Sequence, residues 1–174
     1  MSFAKDLAFG LQYENHMKLI VPYDIHQSVG YCKTHDGSYE KNGETIYYEV
    51  KADKCLHRTN NVCIEFASRG SPSGITTTRA SEWYFFEAIE PYPSFKNVYC
   101  VPTDYIRELI QDKKYHRTIR ADGNDCYLFK RSLFVETLRV PTPLSCGDAS
   151  VPTPLSSGDT DVSSEDTSIR AIHS

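Results

Sequence analysis

The sequence predicts an α/β domain: a mixed sheet of about four to five strands flanked by helices in the order α-β-β-β-α-β, followed by a disordered C-terminal tail. Three observations carry that expectation. From Ser2 to Val21 apolar side chains recur at spacings of three and four, the period of a helix. The stretch Thr45–Ile46–Tyr47–Tyr48–Glu49–Val50–Lys51 alternates, the period of a strand. From Val140 onward the composition turns to Pro, Ser, Thr, Gly and Asp, which cannot bury enough apolar surface to order a chain.

In the first helix Phe3, Leu7, Leu11, Met17 and Val21 form one stripe, and Pro22 closes the segment. Glu14 falls within that stripe. A carboxylate aimed inward there needs a partner, because a buried lone charge is costly; one at the boundary simply reaches water. Val29–Lys33 reads as a strand. Asn42-Gly43 is the strongest short-range hairpin signal a sequence offers. As a two-residue turn it sets Lys41 opposite Glu44, Tyr39 opposite Ile46 and Asp36 opposite Glu49. Opposed residues bring their Cβ atoms to about 4.5–5.5 Å, with Lys51 on the same face. Like charges so placed repel unless a cation lies between them.

Val62–Phe66 reads as the third strand, with Val62, Ile64 and Phe66 on its apolar side. A turn-rich segment from Arg69 then feeds Thr76, Thr77 and Thr78, good N-caps for a helix running to Ala88. A helix start with free N–H groups and hydroxyls suits a phosphate, although capping alone is the commoner role. Asn97–Val101 is the next strand, and Thr103-Asp104 caps a short amphipathic helix. Lys113, Lys114, His116, Arg117 and Arg120 follow as a basic patch, either a nucleic-acid contact or a solvated helix end. Cys126–Phe129 is a last apolar strand and Ser132–Leu138 a short final element. The domain thus covers residues 1–139. The acidic tail, 140–174, carries an eleven-residue repeat that begins at Val140 and again at Val151.

A length of 174 residues suits one domain with a real core. The net charge of −4 resides in the tail, so the body is neutral and any nucleic-acid affinity must come from a local patch. No apolar run is long enough to span a bilayer, and the N-terminus lacks a signal-peptide pattern. Six cysteines without a CxxC point to a reduced protein. The expectation is an intracellular chain, cytoplasmic or nuclear, neither secreted nor in a membrane.

Four residues converge on metal-assisted phosphodiester hydrolysis. Asp36 and Glu49 are hard oxygen ligands of the kind Mg²⁺ takes one or two at a time, with waters completing its shell. Lys51 is a point charge that can orient a water or offset charge developing on phosphorus. Glu14 can reach the cation through an intervening water. Other groupings carry less. Cys55, His57 and Cys63 lack a fourth ligand for zinc, and Cys32 or Cys100 with a histidine has no local signature. Glu65 points to the polar side of its strand, toward either the metal site or solvent. Trp83–Phe86 reads as core packing before it reads as a base-stacking platform.

These residues resemble the PD-(D/E)XK nuclease superfamily. The matching pattern is Asp36, then Glu49-Val50-Lys51 on the following strand, with the acid Glu14 on the preceding helix. Tyr48–Asp53, Asn61–Phe66 and Ser73–Ala80 look like a subgroup found in phages and large DNA viruses. The resemblance runs from about Leu7 to about Leu138. It implies a restriction-endonuclease-like core and a Mg²⁺-dependent deoxyribonuclease of DNA repair, recombination or processing, with Mn²⁺ as a substitute. It implies that Asp36, Glu49 and the Val50 backbone carbonyl hold the metal, Glu14 through water, and that Lys51 assists the attacking water. It gives Thr77, Thr78 and Arg79 a phosphate role, beside the basic Lys113, Lys114 and Arg117. DNA, whether duplex, single-stranded or branched, is then the partner, and a homodimer a candidate assembly. One departure is that His35, not proline, precedes Asp36. Asp24, two residues after Pro22, is a rival that falls outside the hairpin. The reading from a different class is a catalytically silent relative that binds nucleic acid or protein.

Overall fold

A long helix, a mixed sheet and a second sheet are stacked in that order in a computed structural model, which describes residues 3–28, 30, 32, 34–134 and 139–140. Helix α1 (Phe3–Ile20) buries Tyr13 and Met17, continued by Val21 just past its end. It stops where Pro22 has no N–H to continue it. Leu7 and Leu11 are exposed, so the buried stripe is rotated from the one expected. The anchor is Tyr13, whose ring packs on Phe86 with centroids 5.3 Å apart and whose hydroxyl donates to the Ser94 carbonyl at 3.0 Å. A tyrosine breaks a purely aliphatic pattern but buries as large an apolar surface.

Strand β1 (Ile25–Gln27) lies at one edge, followed by β2 (Gly37–Lys41) and β3 (Glu44–Asp53). Asn42 and Gly43 both adopt positive φ, 55° and 82°, as a two-residue hairpin turn of matching twist requires. The register is the one read from the sequence, with Tyr39 opposite Ile46 and Lys41 opposite Glu44. The strand expected over Val29–Lys33 rests on Val29, Tyr31 and Lys33, which lie outside the described residues.

The chain then leaves the sheet through α2 (Leu56–Thr59), β4 (Asn61–Ser68), β5 (Ser71–Pro72) and one tight turn, Gly74–Thr76. It returns as β6 (Glu82–Ala88), parallel to β3 with Glu49 opposite Trp83 and Lys51 opposite Phe85. Strand β7 (Phe95–Pro102) runs antiparallel to β6, then come α3 (Thr103–Gln111), β8 (Arg117–Ala121) and β9 (Asn124–Lys130), with β10 (Arg139–Val140) beside β7. The first sheet has the order β1-β2-β3-β6-β7-β10 and the second β5-β4-β9-β8. The α/β class and the mixed sheet follow the sequence reading.

Three elements differ from it. No helix covers Thr76–Ala88, because Trp83, Tyr84, Phe85 and Phe86 are all buried in a central strand. A strand covered on both faces is continuously apolar and loses its alternation. The strand over Val62–Phe66 forms, but it pairs with β9 in the second sheet. The basic patch after α3 is not a helix end: it runs through a turn into the β8–β9 hairpin, whose Asp122-Gly123 turn has φ values of 52° and 83°. Of the final element, Arg131–Leu133 is one tight turn, and 135–138 lie outside the described residues, as does the tail beyond Val140.

One face of the first sheet, with Tyr48, Val50, Tyr84 and Phe86, packs on α1. The other, with Trp83, Phe85 and Val101, packs on Val62, Ile64 and Phe129 of the second sheet and on Ile106 of α3. Truncating Trp83 or Phe86 to alanine is worth about 3–5 kcal/mol at such sites. Among the described residues no helix is long and apolar enough to cross a membrane.

Candidate metal centre

Strand β2 starts at Gly37, opposite Tyr48, whereas β3 runs on to Asp53. Beyond Tyr48, β3 has no described strand beside it on that side. Asp36 fills the place where one would continue. Its N–H donates to the Tyr48 carbonyl at 2.9 Å, and its side-chain Oδ2 accepts the Val50 N–H at 2.7 Å. In a strand a residue's N–H and C=O point to the same side, so the Val50 carbonyl also faces Asp36. Glu49 is buried, and its Oε1 lies 2.7 Å from Lys51 Nζ. Lys51 in turn lies over the Trp83 ring, 5.7 Å from its centroid. Half-buried Glu14 reaches the same region from α1 and feels both Glu49 and Lys51.

Three acids against one base leave this corner short of positive charge. Burial, and then the Glu49 carboxylate, push Asp36 up to about 7; Lys51 and the Val50 N–H pull only partly the other way. Glu14 is raised as well, by burial first and Glu49 second. Burial acts to lower the Lys51 ammonium, but Glu49 and Asp36 outweigh it, and the net shift is upward. Lys51 therefore stays charged.

Among the described residues no three His, Cys, Asp or Glu side chains already converge on one point. The Asp36 carboxyl feels the Glu49 charge, and the Val50 backbone lies against Asp36, so the oxygens to consider together are these two carboxylates and the Val50 carbonyl. That donor set fits a hard cation such as Mg²⁺, which takes few protein oxygens and keeps its waters. Asp24 does not join them: it is exposed, beside Lys18, His26 and Glu40 around a separate surface cleft.

The phosphate cradle expected at Thr77 and Thr78 is not built, because no helix starts there. The Thr77 hydroxyl donates to the Gly74 carbonyl at 3.4 Å, and the buried Thr78 hydroxyl to the Thr34 carbonyl at 3.0 Å. Arg79 is exposed, and its N–H is fixed to the Thr34 carbonyl at 2.8 Å, next to the His35–Asp36 segment. Lys113 and Lys114 are exposed on the turn leading into β8, and Arg117 is exposed as its first residue. Slight desolvation and the cations of Lys130 and Arg117 lower the His116 imidazole, which marks the local field as positive. Arg120 is engaged with Asp125 through hydrogen bonds of 2.6 and 2.7 Å.

Several neighbours emerge only in three dimensions. Glu65 faces the site, where its charge helps hold Lys51 protonated. The neighbouring Cys126 thiol, and then burial, raise the Cys63 thiol, and among the described residues Cys55, His57 and Cys63 do not form a three-ligand group. Cys32 Sγ does lie 3.8 Å from His35 Nδ1, with the Thr34 hydroxyl 3.4 Å away as its main partner. The Tyr48 hydroxyl is fully buried with no hydrogen-bond partner among the described residues, in the field of Asp36 and Glu14. Its ring fits only because Gly37 lacks a Cβ, which would collide with it. No family model, curated protein or solved structure matches this chain.

Proposed function

We propose that this chain is a divalent-cation-dependent deoxyribonuclease of the PD-(D/E)XK type, with Mg²⁺, or Mn²⁺ in its place, as cofactor and DNA as substrate. The observation that carries the reading is the Asp36 carboxylate on the Val50 N–H. That bond sets one carboxylate against the stretch of β3 that carries Glu49, with Lys51 held against Glu49. A cation bound by these oxygens polarises the phosphoryl group and acidifies water.

The residues divide the remaining work. Asp36, Glu49 and the Val50 carbonyl would hold the cation, and Glu14 would act on it through water. Lys51 keeps its proton, so it serves by charge: it orients the incoming water and stabilises the extra negative charge on phosphorus. Hydrolysis adds hydroxide to phosphorus, breaks the bond to O3′ and returns the proton to that oxygen, leaving a 5′-phosphate. Exposed Arg79, and Lys113, Lys114 and Arg117 at the start of β8 and in the turn before it, supply cations for the DNA backbone. Such an enzyme acts inside the cell, in cytoplasm or nucleus, as monomer or homodimer.

The test is an assay on single-stranded, duplex and branched DNA with Mg²⁺, Mn²⁺ or EDTA. The expected result is cleavage with either cation, products that carry 5′-phosphates, and none in EDTA. Binding of DNA without cleavage under every condition would favour the silent relative.

A further inference from the structure

Beside the carboxylates lies an aromatic surface that the fold does not use for packing. Tyr47 stands two residues before Glu49 on the same face of β3, about 6.8 Å along the strand. It is 40% exposed and belongs to neither hydrophobic cluster. Its backbone is clamped, since the Ser81 N–H and hydroxyl both donate to the Tyr47 carbonyl, at 2.8 and 3.2 Å. Its ring rests against the His35 imidazole, with centroids 4.6 Å apart and planes at 52°. His35 directly precedes Asp36 and is also held. Its Nδ1 is 3.0 Å from the Thr34 hydroxyl, and its carbonyl accepts the Ser28 hydroxyl at 3.3 Å. Arg79, whose backbone N–H is tied to the Thr34 carbonyl next to His35, adds an exposed cation.

Two positioned rings and a cation next to a hydrolytic centre fit one kind of group: a flat π-surface attached to a phosphate. Every nucleobase presents such a face, and aromatic side chains bind it with little regard to sequence. In an intact duplex both faces are already stacked, and freeing one costs energy. An unpaired base carries no such cost.

We propose that Tyr47 and His35 form a stacking subsite for an unpaired nucleobase adjacent to the scissile phosphate, with Arg79 on the neighbouring phosphate. The preferred substrate is then single-stranded DNA, including the unpaired arms of branched DNA. This inference rests on the nuclease reading.

The test uses the full chain with Ca²⁺, and again with EDTA, so that binding is read without turnover. Oligonucleotides carry one 2-aminopurine, whose fluorescence falls when it stacks, at successive positions. The parent should bind single strands more tightly than duplex of equal length, with quenching concentrated at one position. Tyr47→Ala should weaken single-strand binding about tenfold and abolish that quenching, with duplex affinity and thermal stability unchanged. Tyr47→Trp should restore both. Unchanged single-strand affinity and quenching in Tyr47→Ala, or a parent that prefers blunt duplex, overturns the subsite. If Mg²⁺-dependent cleavage persists in that case, the nuclease reading stands alone. If the parent neither binds nor cuts DNA, both fall together.

Discussion

Asp36 occupies the Val50 N–H through its Oδ2 at 2.7 Å, a bond that a neighbouring strand would otherwise make. One carboxylate thus closes the backbone of β3, and in the proposed site its second oxygen faces the cation. The two roles separate by substitution. Asp36→Asn keeps an acceptor for Val50 and sheds the charge, so its melting temperature without metal should match or exceed the parent's. Its Mn²⁺ affinity, measured by calorimetry, should fall by more than about tenfold. Asp36→Ala loses both roles and should also cost about 1–3 kcal/mol of stability through the unpaired N–H.

The same carboxyl sets a pH dependence. Its folded value is pushed up to about 7, while an unfolded aspartate titrates near ~3.9. The folded state therefore binds this proton more tightly. Its contribution to stability is full below ~3.9 and is lost as pH rises through about 7. Without metal, the melting temperature should climb as the buffer is taken from pH 8 to about 6, and Asp36→Asn should flatten that climb. Cation affinity should run oppositely and rise with pH, because binding expels the proton. A metal affinity that falls with rising pH would count against Asp36 as a ligand.

Lys51→Ala tests the chemistry. The side chain is partly exposed, with 39% of it accessible, so the fold should survive by circular dichroism. Cleavage should slow by about 10²–10³ or more. A variant that cuts as fast as the parent removes the proposed activity from this site.

Tyr48 and Gly37 form a matched pair. Tyr48→Phe removes a buried hydroxyl that has no hydrogen-bond partner among the described residues, so thermal melts should show equal or greater stability, by up to about 1 kcal/mol. Gly37→Ala drives a methyl into that ring and the His26 carbonyl and should cost about 1–3 kcal/mol. Equal melting temperatures for Gly37→Ala and the parent would contradict this packing.

The basic turn predicts a salt effect. Replacing Lys113, Lys114 and Arg117 with alanine should weaken duplex binding for all sequences alike. It should flatten the log–log salt dependence by about 0.9 for each DNA phosphate that is no longer neutralised. An unchanged slope would place the DNA elsewhere.

The hairpin is legible to the residue, because Asn42-Gly43 fixes the turn and the turn fixes the register. The pairing of β2 with β3 ends at Gly37 opposite Tyr48, so Asp36 is not paired with Glu49 as the turn count expects; it bonds the Tyr48 carbonyl and the Val50 N–H on either side of Glu49. Asp122-Gly123 carries the same signal and is open to the same reasoning, but the cations before it suggest a helix end instead. Trp83–Phe86 is not legible as a strand, since burial on both faces erases the period that distinguishes strand from helix. Trp83 beneath Lys51 follows only from the parallel pairing of β3 with β6, which joins segments that no local pattern connects. Tyr13 shows a further limit: the α1 stripe is anchored on an aromatic with a polar tip, and an aliphatic count rotates it.

The mismatch in length between β2 and β3 has a consequence for solubility. A strand that outruns its neighbour exposes a ready template for another chain. Here the vacant template is filled by Asp36 and flanked by Glu14, Glu49 and Lys51, so an incoming strand meets charge where it needs peptide groups. The residues proposed to hold a cation would then also discourage one molecule from pairing with the next. Variants that neutralise this corner should therefore aggregate more readily than their melting temperatures suggest, and light scattering at matched stability would reveal it.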